Sequence, residues 1–352
     1  MHKITTAFRT RMAELDGLRG FAVLAVLFYH TLQVPSSGAL GVDVFFTLSG
    51  FLISSQLFAE IDKTRTIKIG IFYLKRCARL IPAFVAACCL YYAITFCFPQ
   101  STPTESPLRL LSLLLTSNIY WARQSGGVQL LNHTWTLAVE WQFYLVWPLV
   151  LLGLSKAGLS KNGIAAFIVV VVLLVWLARW EGDNYMRFDG ILIGSAIPLV
   201  HNAVLSKKLF AARNAIWTAF VPASIAIVAL VFHPLHILTW ESRPATSLLT
   251  AMIILFLILN GSSISTALLA NRVVRHFGKI SYGIYLYHFP IASLMYVNGF
   301  SPAKMLIVAA PVSIALAELS WRYLEEPIIN VCARLIKTAK QKDAGAEKVV
   351  PS

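Results

Sequence analysis

The sequence predicts an all-α, polytopic membrane protein with about ten transmembrane helices and with both termini in the cytoplasm. Two features indicate this class. Hydrophobic residues make up 57% of the 352 residues and charged residues only 13%, whereas a soluble globular protein carries about 25% charged residues. In addition, ten apolar segments recur along the chain, each near the ~20 residues that a helix needs to cross a bilayer.

The apolar segments are separated by polar or charged loops. They cover residues 14–34, 42–60, 79–98, 136–155, 163–180, 187–204, 214–233, 244–260, 280–299 and 303–324. The longest loop, 99–132, is polar but contains the apolar stretch 108–115, which predicts an interfacial or re-entrant piece. We expect residues 1–336 to form one transmembrane domain and residues 337–352 to form a short, basic, disordered cytoplasmic tail.

The distribution of basic residues predicts the orientation. The net charge is +14, and most of the lysines and arginines fall at the ends and loops that share a side with the N-terminus, which the positive-inside rule places in the cytoplasm. The opposite side carries only Arg109, Arg123, Arg179, Arg187, Arg243 and Lys304. No basic stripe is interleaved with aromatic residues, so we expect no nucleic-acid partner.

Common catalytic motifs are absent from the sequence. It contains no P-loop, no Rossmann glycine pattern, no serine nucleophile elbow and no metal-ligand spacing. Phosphoryl transfer, hydride transfer and zinc hydrolysis therefore have no support, and no metal is expected. The classes of function that the sequence still allows are base-assisted group transfer and transport of a proton or solute.

Arg19 and His30 are two ionisable residues in the first apolar segment. They are eleven residues apart, which puts them on one helix face, about 16 Å apart along the axis. Ionisable side chains are costly in a bilayer and commonly mark functional sites. His30 suits general acid–base chemistry, although a hydrogen-bonded packing role is the alternative.

Further polar residues lie at the same end as His30. Asp43 opens the second segment, where it either orients an imidazole or caps the helix. Glu140 is a buried acid in the fourth segment, on one face with His133, seven residues earlier. His288, within the ninth segment, is either a packing residue or another acid–base candidate.

A dense cationic patch lies beside the third segment. Arg76 and Arg79 are neighbours at helical spacing, with Lys75 next to them. Two arginines on one face can grip a phosphate-bearing ligand. The alternative is ordinary positive-inside charge or contact with lipid headgroups.

Taken together, six motifs resemble those of the integral membrane acyltransferase 3 family, and they occur in family order. They are Leu15-Asp16-Gly17-Leu18-Arg19-Gly20 with His30, Gly41-Val42-Asp43-Val44-Phe45-Phe46 through Ile53, Phe72-Tyr73-Leu74-Lys75-Arg76 through Pro82, His133-Thr134-Trp135-Thr136-Leu137 through Tyr144, Ser281-Tyr282-Gly283-Ile284-Tyr285-Leu286-Tyr287-His288, and Glu326-Pro327-Ile328.

The resemblance implies O-acyl transfer in the cell (inner, cytoplasmic) membrane. The donor would be acyl-CoA, by preference acetyl-CoA, with no permanently bound cofactor. The acceptor would be a hydroxyl of a carbohydrate or glycolipid, such as a surface polysaccharide or lipopolysaccharide. His30 would be the base or a transient acyl carrier, and Arg19, Asp43 and Glu140 would complete the catalytic set. Lys75, Arg76 and Arg79 would hold the donor. Residues 1–336 would be the acyltransferase 3-like domain.

Two departures from the family pattern and two alternative functions remain. Trp141 stands where many members have a second glutamate, which puts a paired-carboxylate role in doubt. Some members carry a fused extracytoplasmic hydrolase-like domain, and we expect this chain to act without one, alone or with separate partners. The alternatives are a transporter or flippase whose polar residues form a proton relay, and a non-catalytic partner in glycan export.

Overall fold

In the computed structural model, all regular structure in the described part of the chain is helical. The structure describes residues 12–34, 37–99, 115–119, 129–180, 187–205, 242–260 and 267–346. The helices are α1 (Met12–Leu32), α2 (Gly41–Thr64), α3 (Ile69–Cys97), α4 (Trp135–Lys156), α5 (Lys161–Trp180), α6 (Asp189–Leu205), α7 (Ser242–Asn260), α8 (Arg272–Lys279), α9 (Ser281–Val297), α10 (Pro302–Ser320) and α11 (Glu326–Ala346).

Each apolar segment that lies within the described residues overlaps a helix. Segment 214–233 lies outside the described residues, and so does the interfacial piece 108–115 apart from Leu115. Six helical stretches are long and apolar enough to cross a membrane, namely Ala13–Leu32, Gly38–Thr64, Ile69–Cys97, Leu130–Lys156, Lys161–Trp180 and Pro302–Ala339. Asp189–Val200 and Arg243–Ile258 are apolar but shorter. The protein is therefore a helical multi-pass membrane protein.

Helix α5 shows most directly that the surroundings are apolar. Its buried face includes Ile168 and Val172, whereas Leu173, Leu174 and Leu177 on the opposite face are more than half exposed. A helix that is apolar on both faces needs an apolar medium on its outer side. We therefore assign this face to the lipid.

Helices α2 and α6 approach each other closely because each contributes a glycine. A Cβ at Gly50 would collide with the carbonyl group of Ile191, and a Cβ at Gly194 would collide with the carbonyl oxygen of Thr47. Gly50 and Gly194 therefore act as packing residues, since their lack of a side chain lets the two backbones come close.

Helix α3 begins earlier than the sequence predicts. The apolar segment starts at residue 79, but the helix already begins at Ile69, because cationic residues are good helix formers and do not interrupt a helix. Arg76 and Arg79 consequently lie inside α3, with two helical turns preceding them, rather than at its end.

The end of the chain also differs from expectation. The Glu325-Glu326-Pro327 sequence predicts a helix stop, yet a π-helical turn at Trp321–Glu325 connects α10 directly to α11. Proline cannot donate a backbone hydrogen bond, and a π turn changes the hydrogen-bond pattern locally so that the helix continues past Pro327. Helix α11 continues to Ala346, so residues 337–346 are helical, and the disorder predicted from residue 337 is wrong for them.

Candidate functional site

A cavity of about 200 Å³ lies between helices α1, α2, α3, α4 and α9, and we call it the arginine cavity. Its charged and amide lining is Arg19, Gln56, Arg76, Arg79 and Glu140. Gln56 is exposed at one end, whereas Thr136 and Tyr285 are buried at the other. The cavity is thus open at the end near Arg76 and closed at the end near Tyr285.

Arg76 and Arg79 line the same cavity, as their helical spacing predicts. Arg76 donates a hydrogen bond from Nη2 to Oε1 of Gln56 at 3.0 Å, and its guanidinium lies over the rings of Phe72 and Tyr144 at 5.7 and 5.9 Å. Its Nε has no hydrogen-bond partner among the residues that the structure describes. Lys75 is exposed and does not line this cavity, so the structure separates it from the two arginines.

Arg19 and Glu140 occupy the middle of the cavity. Glu140 accepts a hydrogen bond at Oε1 from the hydroxyl of Ser49 at 2.6 Å. Arg19 interacts electrostatically with Glu140, Asp16 and Arg79. A single carboxylate therefore shares this cavity with three arginines, which leaves the lining with excess positive charge.

His30 does not reach the arginine cavity and instead pairs with His288. Nδ1 of His30 and Nε2 of His288 are 3.0 Å apart, and Nδ1 of His288 lies 3.0 Å from the carbonyl oxygen of Ile284. A carbonyl only accepts, so His288 carries its proton on Nδ1. In the neutral pair, His288 then accepts from Nδ1–H of His30. Nε2 of His30 is left with a free lone pair, as a general base requires.

His133 completes the histidine cluster, which consists of His30, His133 and His288. The His133 ring stacks on Phe289 at 4.8 Å and contacts Tyr285 and His288 at 5.2 and 5.7 Å. It is 4% exposed. The backbone carbonyl groups of Leu286 and Tyr285 lie close to the ring, but among the described residues neither ring nitrogen has a hydrogen-bond partner of normal distance and angle.

Tyr285 is the contact between the two regions. It lines the closed end of the arginine cavity, and its ring lies 5.6 Å from that of His288. Its hydroxyl accepts from Thr136 Oγ1 at 2.8 Å and donates to the carbonyl oxygen of His133 at 2.9 Å. Thr136 also lines the cavity. The end of the cavity therefore lies directly against the histidine cluster.

Asp43 belongs to a different network. Its Oδ1 accepts from Arg187 at 2.8 Å, and its Oδ2 lies 3.6 Å from Arg243. A second buried ion pair, between Arg179 and Asp189 at 2.6 Å, lies beside it. These pairs join α2, α5, α6 and α7 near the ends where Asp43 and Asp189 begin their helices.

The structure thus corrects the roles that the sequence assigns to the acids. The resemblance implies that Asp43 or Glu140 orients His30 within the catalytic set, but Asp43 pairs with Arg187 and Glu140 accepts from Ser49. Placement at one end of the bundle does not specify the direction of a side chain. The contact to His30 comes instead from His288, which the sequence analysis gives as either a packing residue or another acid–base candidate. Across the described ranges, no group of three or more His, Cys, Asp or Glu side chains is placed so that it could hold a metal ion.

Comparisons with known proteins add a family match. The Acyl_transf_3 family model, described as an acyltransferase domain, matches residues 12–318. O-acetyltransferase OatA of Staphylococcus aureus (strain NCTC 8325 / PS 47) is 29% identical over 343 residues, covering 89% of this chain and 56% of the relative. Putative O-acetyltransferase SAS0844 of Staphylococcus aureus (strain MSSA476) is 28% identical over 345 residues, covering 90% and 57%. The chain spans little more than half of the length of these relatives. No solved structure matches it.

Proposed function

The chain belongs to the Acyl_transf_3 family of acyltransferase domains, and on that premise we propose that it is a membrane O-acyltransferase. In this proposal it transfers an acyl group, acetyl by preference, from acyl-CoA to a hydroxyl of a carbohydrate or glycolipid acceptor. The names of the two relatives support O-acetyl transfer. The structure supports a model in which the arginine cavity binds the donor and the histidine cluster carries out acyl transfer.

The arginine cavity is the proposed binding site of the donor. CoA carries phosphate groups, and charge-assisted hydrogen bonds from arginine to phosphate are among the strong polar contacts in proteins. Arg76 and Arg79 lie towards the open end, and Arg76 keeps an unpaired Nε. The rest of the donor would follow the cavity past Arg19 and Glu140 towards Tyr285. Lys75, which is exposed, would contribute at most long-range attraction.

His30 is the proposed base. Its Nε2 removes the proton of the acceptor hydroxyl as that oxygen attacks the thioester carbonyl carbon. The carbon–oxygen bond forms and the carbonyl oxygen becomes an oxyanion. When the intermediate collapses, the carbon–sulfur bond breaks and the CoA thiolate takes the proton from the His30 imidazolium. His288 accepts the His30 Nδ1–H throughout and therefore acts as a positioning residue.

The proposed topology has the open end of the arginine cavity at the cytoplasm, where acyl-CoA is found. Both termini and about ten transmembrane helices then follow the positive-inside pattern of the sequence. The donor would enter from the cytoplasm of the cell (inner) membrane, and the histidine cluster would stand nearer to the outer side. Arg19 would line the route between the two regions and stabilise negative charge on the donor.

The observation that carries the proposal is the His30–His288 pair against the closed end of an arginine-lined cavity. Its test is acyl transfer by the full chain in lipid nanodiscs, with radiolabelled acetyl-CoA and the total surface glycan and glycolipid fraction of the host. We expect release of CoA thiol together with alkali-labile label on the acceptor. His30→Ala should lower the rate by about 10²–10⁴-fold, the usual contribution of a general base.

The alternative functions give different results in this assay together with two companion measurements, solute flux in proteoliposomes and O-acetylation of surface glycans in cells. A transporter or flippase would show neither thiol release nor label transfer, but would lose solute flux in the His30→Ala variant. A non-catalytic partner in glycan export would leave O-acetylation of surface glycans intact in that variant. Either result would contradict the proposed function.

A further inference from the structure

His133 is a buried imidazole, with its side chain only 4% exposed. Within the part of the chain that the structure describes, neither ring nitrogen makes a hydrogen bond of normal geometry, although the Leu286 and Tyr285 carbonyl groups lie nearby. An unsatisfied buried polar group costs about 1–3 kcal/mol. Such groups are rare in native proteins and call for a specific explanation.

Packing does not explain the choice of histidine at this position. The side chains against the ring are those of Phe289, Tyr285 and His288, which are rings themselves. A phenylalanine would fill the same space without an unsatisfied nitrogen. The imidazole is therefore retained at the expense of stability, which is typical of a residue that serves a bound substrate.

The position of His133 is well defined and central. Its carbonyl oxygen accepts a hydrogen bond from the Tyr285 hydroxyl at 2.9 Å, and Thr136, which donates to that hydroxyl, lines the closed end of the arginine cavity together with Tyr285. On its other side it shares Phe289 with His30, whose ring lies 5.0 Å from that of Phe289. His133 thus stands between the end of the cavity and the base.

We propose that an N–H of His133 donates a hydrogen bond to the thioester carbonyl oxygen as this oxygen becomes the oxyanion. The inference rests on the proposed acyl transfer and adds a catalytic residue to it. A neutral imidazole always carries one N–H, and a preorganised donor gains its full strength only when charge develops on the oxygen. The proton and the electron pairs follow the reaction described above, and His133 keeps its own proton.

Three variants test this role in the nanodisc assay. His133→Phe keeps a ring without an N–H. His133→Asn and His133→Gln keep an amide N–H near the positions of Nδ1 and Nε2, respectively. We expect the phenylalanine variant to lower kcat by about 10²–10³-fold, the usual effect of losing one oxyanion donor, with little change in KM for acetyl-CoA. One of the two amide variants should retain more activity and thereby identify the donating nitrogen.

Thermal unfolding distinguishes this role from a structural one. Because His133→Phe removes two unsatisfied buried nitrogens, we expect its melting temperature to equal or exceed that of the wild type. A variant that lowers kcat and also melts well below the wild type would indicate a structural histidine. If His133→Phe fails to insert into the membrane, the kcat values of His133→Asn and His133→Gln test the oxyanion role instead. Equal large losses of kcat in both amide variants would overturn the proposal.

The remaining outcomes separate this inference from the proposed function. If the wild type transfers acyl groups and His30→Ala does not, but His133→Phe keeps the wild-type kcat, only the oxyanion role is wrong. If His133→Phe instead raises KM for the acceptor at unchanged kcat, His133 binds the acceptor and the oxyanion role is wrong. If the wild type transfers no acyl group, the proposed function and this inference fall together.

Discussion

The arginine cavity and the histidine cluster lie against each other but differ in charge and in how their polar groups are satisfied. The cavity is partly open, carries more arginines than carboxylates, and satisfies its charges with partners such as Gln56 and Ser49. The cluster consists of imidazoles among aromatic rings; His133 and His288 are buried, His30 is partly exposed, and the His133 nitrogens lack partners among the described residues. The comparison suggests that charge holds a substrate in one region while preorganised dipoles act on it in the other.

The largest expected effect concerns a network that belongs to neither region. Asp43→Asn leaves Arg187 buried without its counter-charge, and breaking a buried pair in this way costs about 3–5 kcal/mol. We expect a large fall in the melting temperature, with acyl transfer per folded molecule near the wild-type value. If Asp43→Asn instead keeps the wild-type melting temperature but loses activity, Asp43 has the catalytic role that the sequence analysis assigns to it.

Asp62→Asn is the matched control for this prediction because it lies on the same helix. Asp62 pairs with Lys161 at 2.8 Å, but both side chains are nearly half exposed. Exposed pairs contribute about 0–1 kcal/mol. A shift in melting temperature as large as that of Asp43→Asn would contradict the distinction between the two pairs.

Donor binding should depend on the cavity arginines. Arg76→Gln and Arg79→Gln each remove a charge-assisted contact of about 1.5–3 kcal/mol, which corresponds to roughly a tenfold to hundredfold rise in KM for acetyl-CoA. We expect kcat to change far less, as measured by steady-state kinetics in nanodiscs. Lys75→Gln should have a smaller effect than either arginine variant, because Lys75 is exposed outside the cavity.

Lys63→Gln provides the control for bulk charge, since Lys63 is exposed on α2. Equal rises in KM for Lys63→Gln and Arg76→Gln would mean that the donor responds to the overall potential rather than to the cavity.

In contrast to the arginine variants, which should raise KM, the His288 variants should lower kcat. His288→Phe removes the group that accepts the His30 Nδ1–H, so we expect kcat to fall by about 10–10³-fold with KM for acetyl-CoA nearly unchanged. His288→Gln offers a carbonyl oxygen as acceptor and should recover part of the rate. Equal losses in both variants would indicate that His288 only fills space.

The smallest predicted effect lies at the boundary between the two regions. Tyr285→Phe keeps the ring but removes the hydroxyl that links Thr136 to the His133 carbonyl. Losing a hydrogen bond of about 1 kcal/mol corresponds to roughly a fivefold lower kcat. A fall of the size seen for His30→Ala would instead assign Tyr285 a direct chemical role.

Periodicity and hydropathy predict much of this architecture because they depend on neighbouring residues. The apolar segments and the shared cavity of Arg76 and Arg79 follow from helix length and helical spacing. The pairing of His30 with His288 does not, since 258 positions separate them in sequence. Only the packing of α1 against α9 brings their side chains together.

Asp43 also shows that a local sequence pattern does not predict which distant side chain a residue contacts. The sequence correctly places Asp43 and His30 towards the same end of the bundle, yet it does not specify how α2 is rotated about its axis. The close approach of Gly50 and Gly194 to the opposite backbones sets that rotation, and Asp43 points to Arg187 as a result. The disorder predicted from residue 337 fails for a related reason, because composition alone did not reveal that α11 continues the helix of α10.

The central claim is that the two regions divide donor binding from chemistry. Isothermal titration of acetyl-CoA into the His30→Ala variant in nanodiscs tests it most directly, with Arg76→Gln titrated in parallel. We expect His30→Ala to bind acetyl-CoA with the wild-type Kd while transferring no acyl group, and Arg76→Gln to bind at least about tenfold more weakly. Weakened binding in His30→Ala with unchanged binding in Arg76→Gln would contradict the claim.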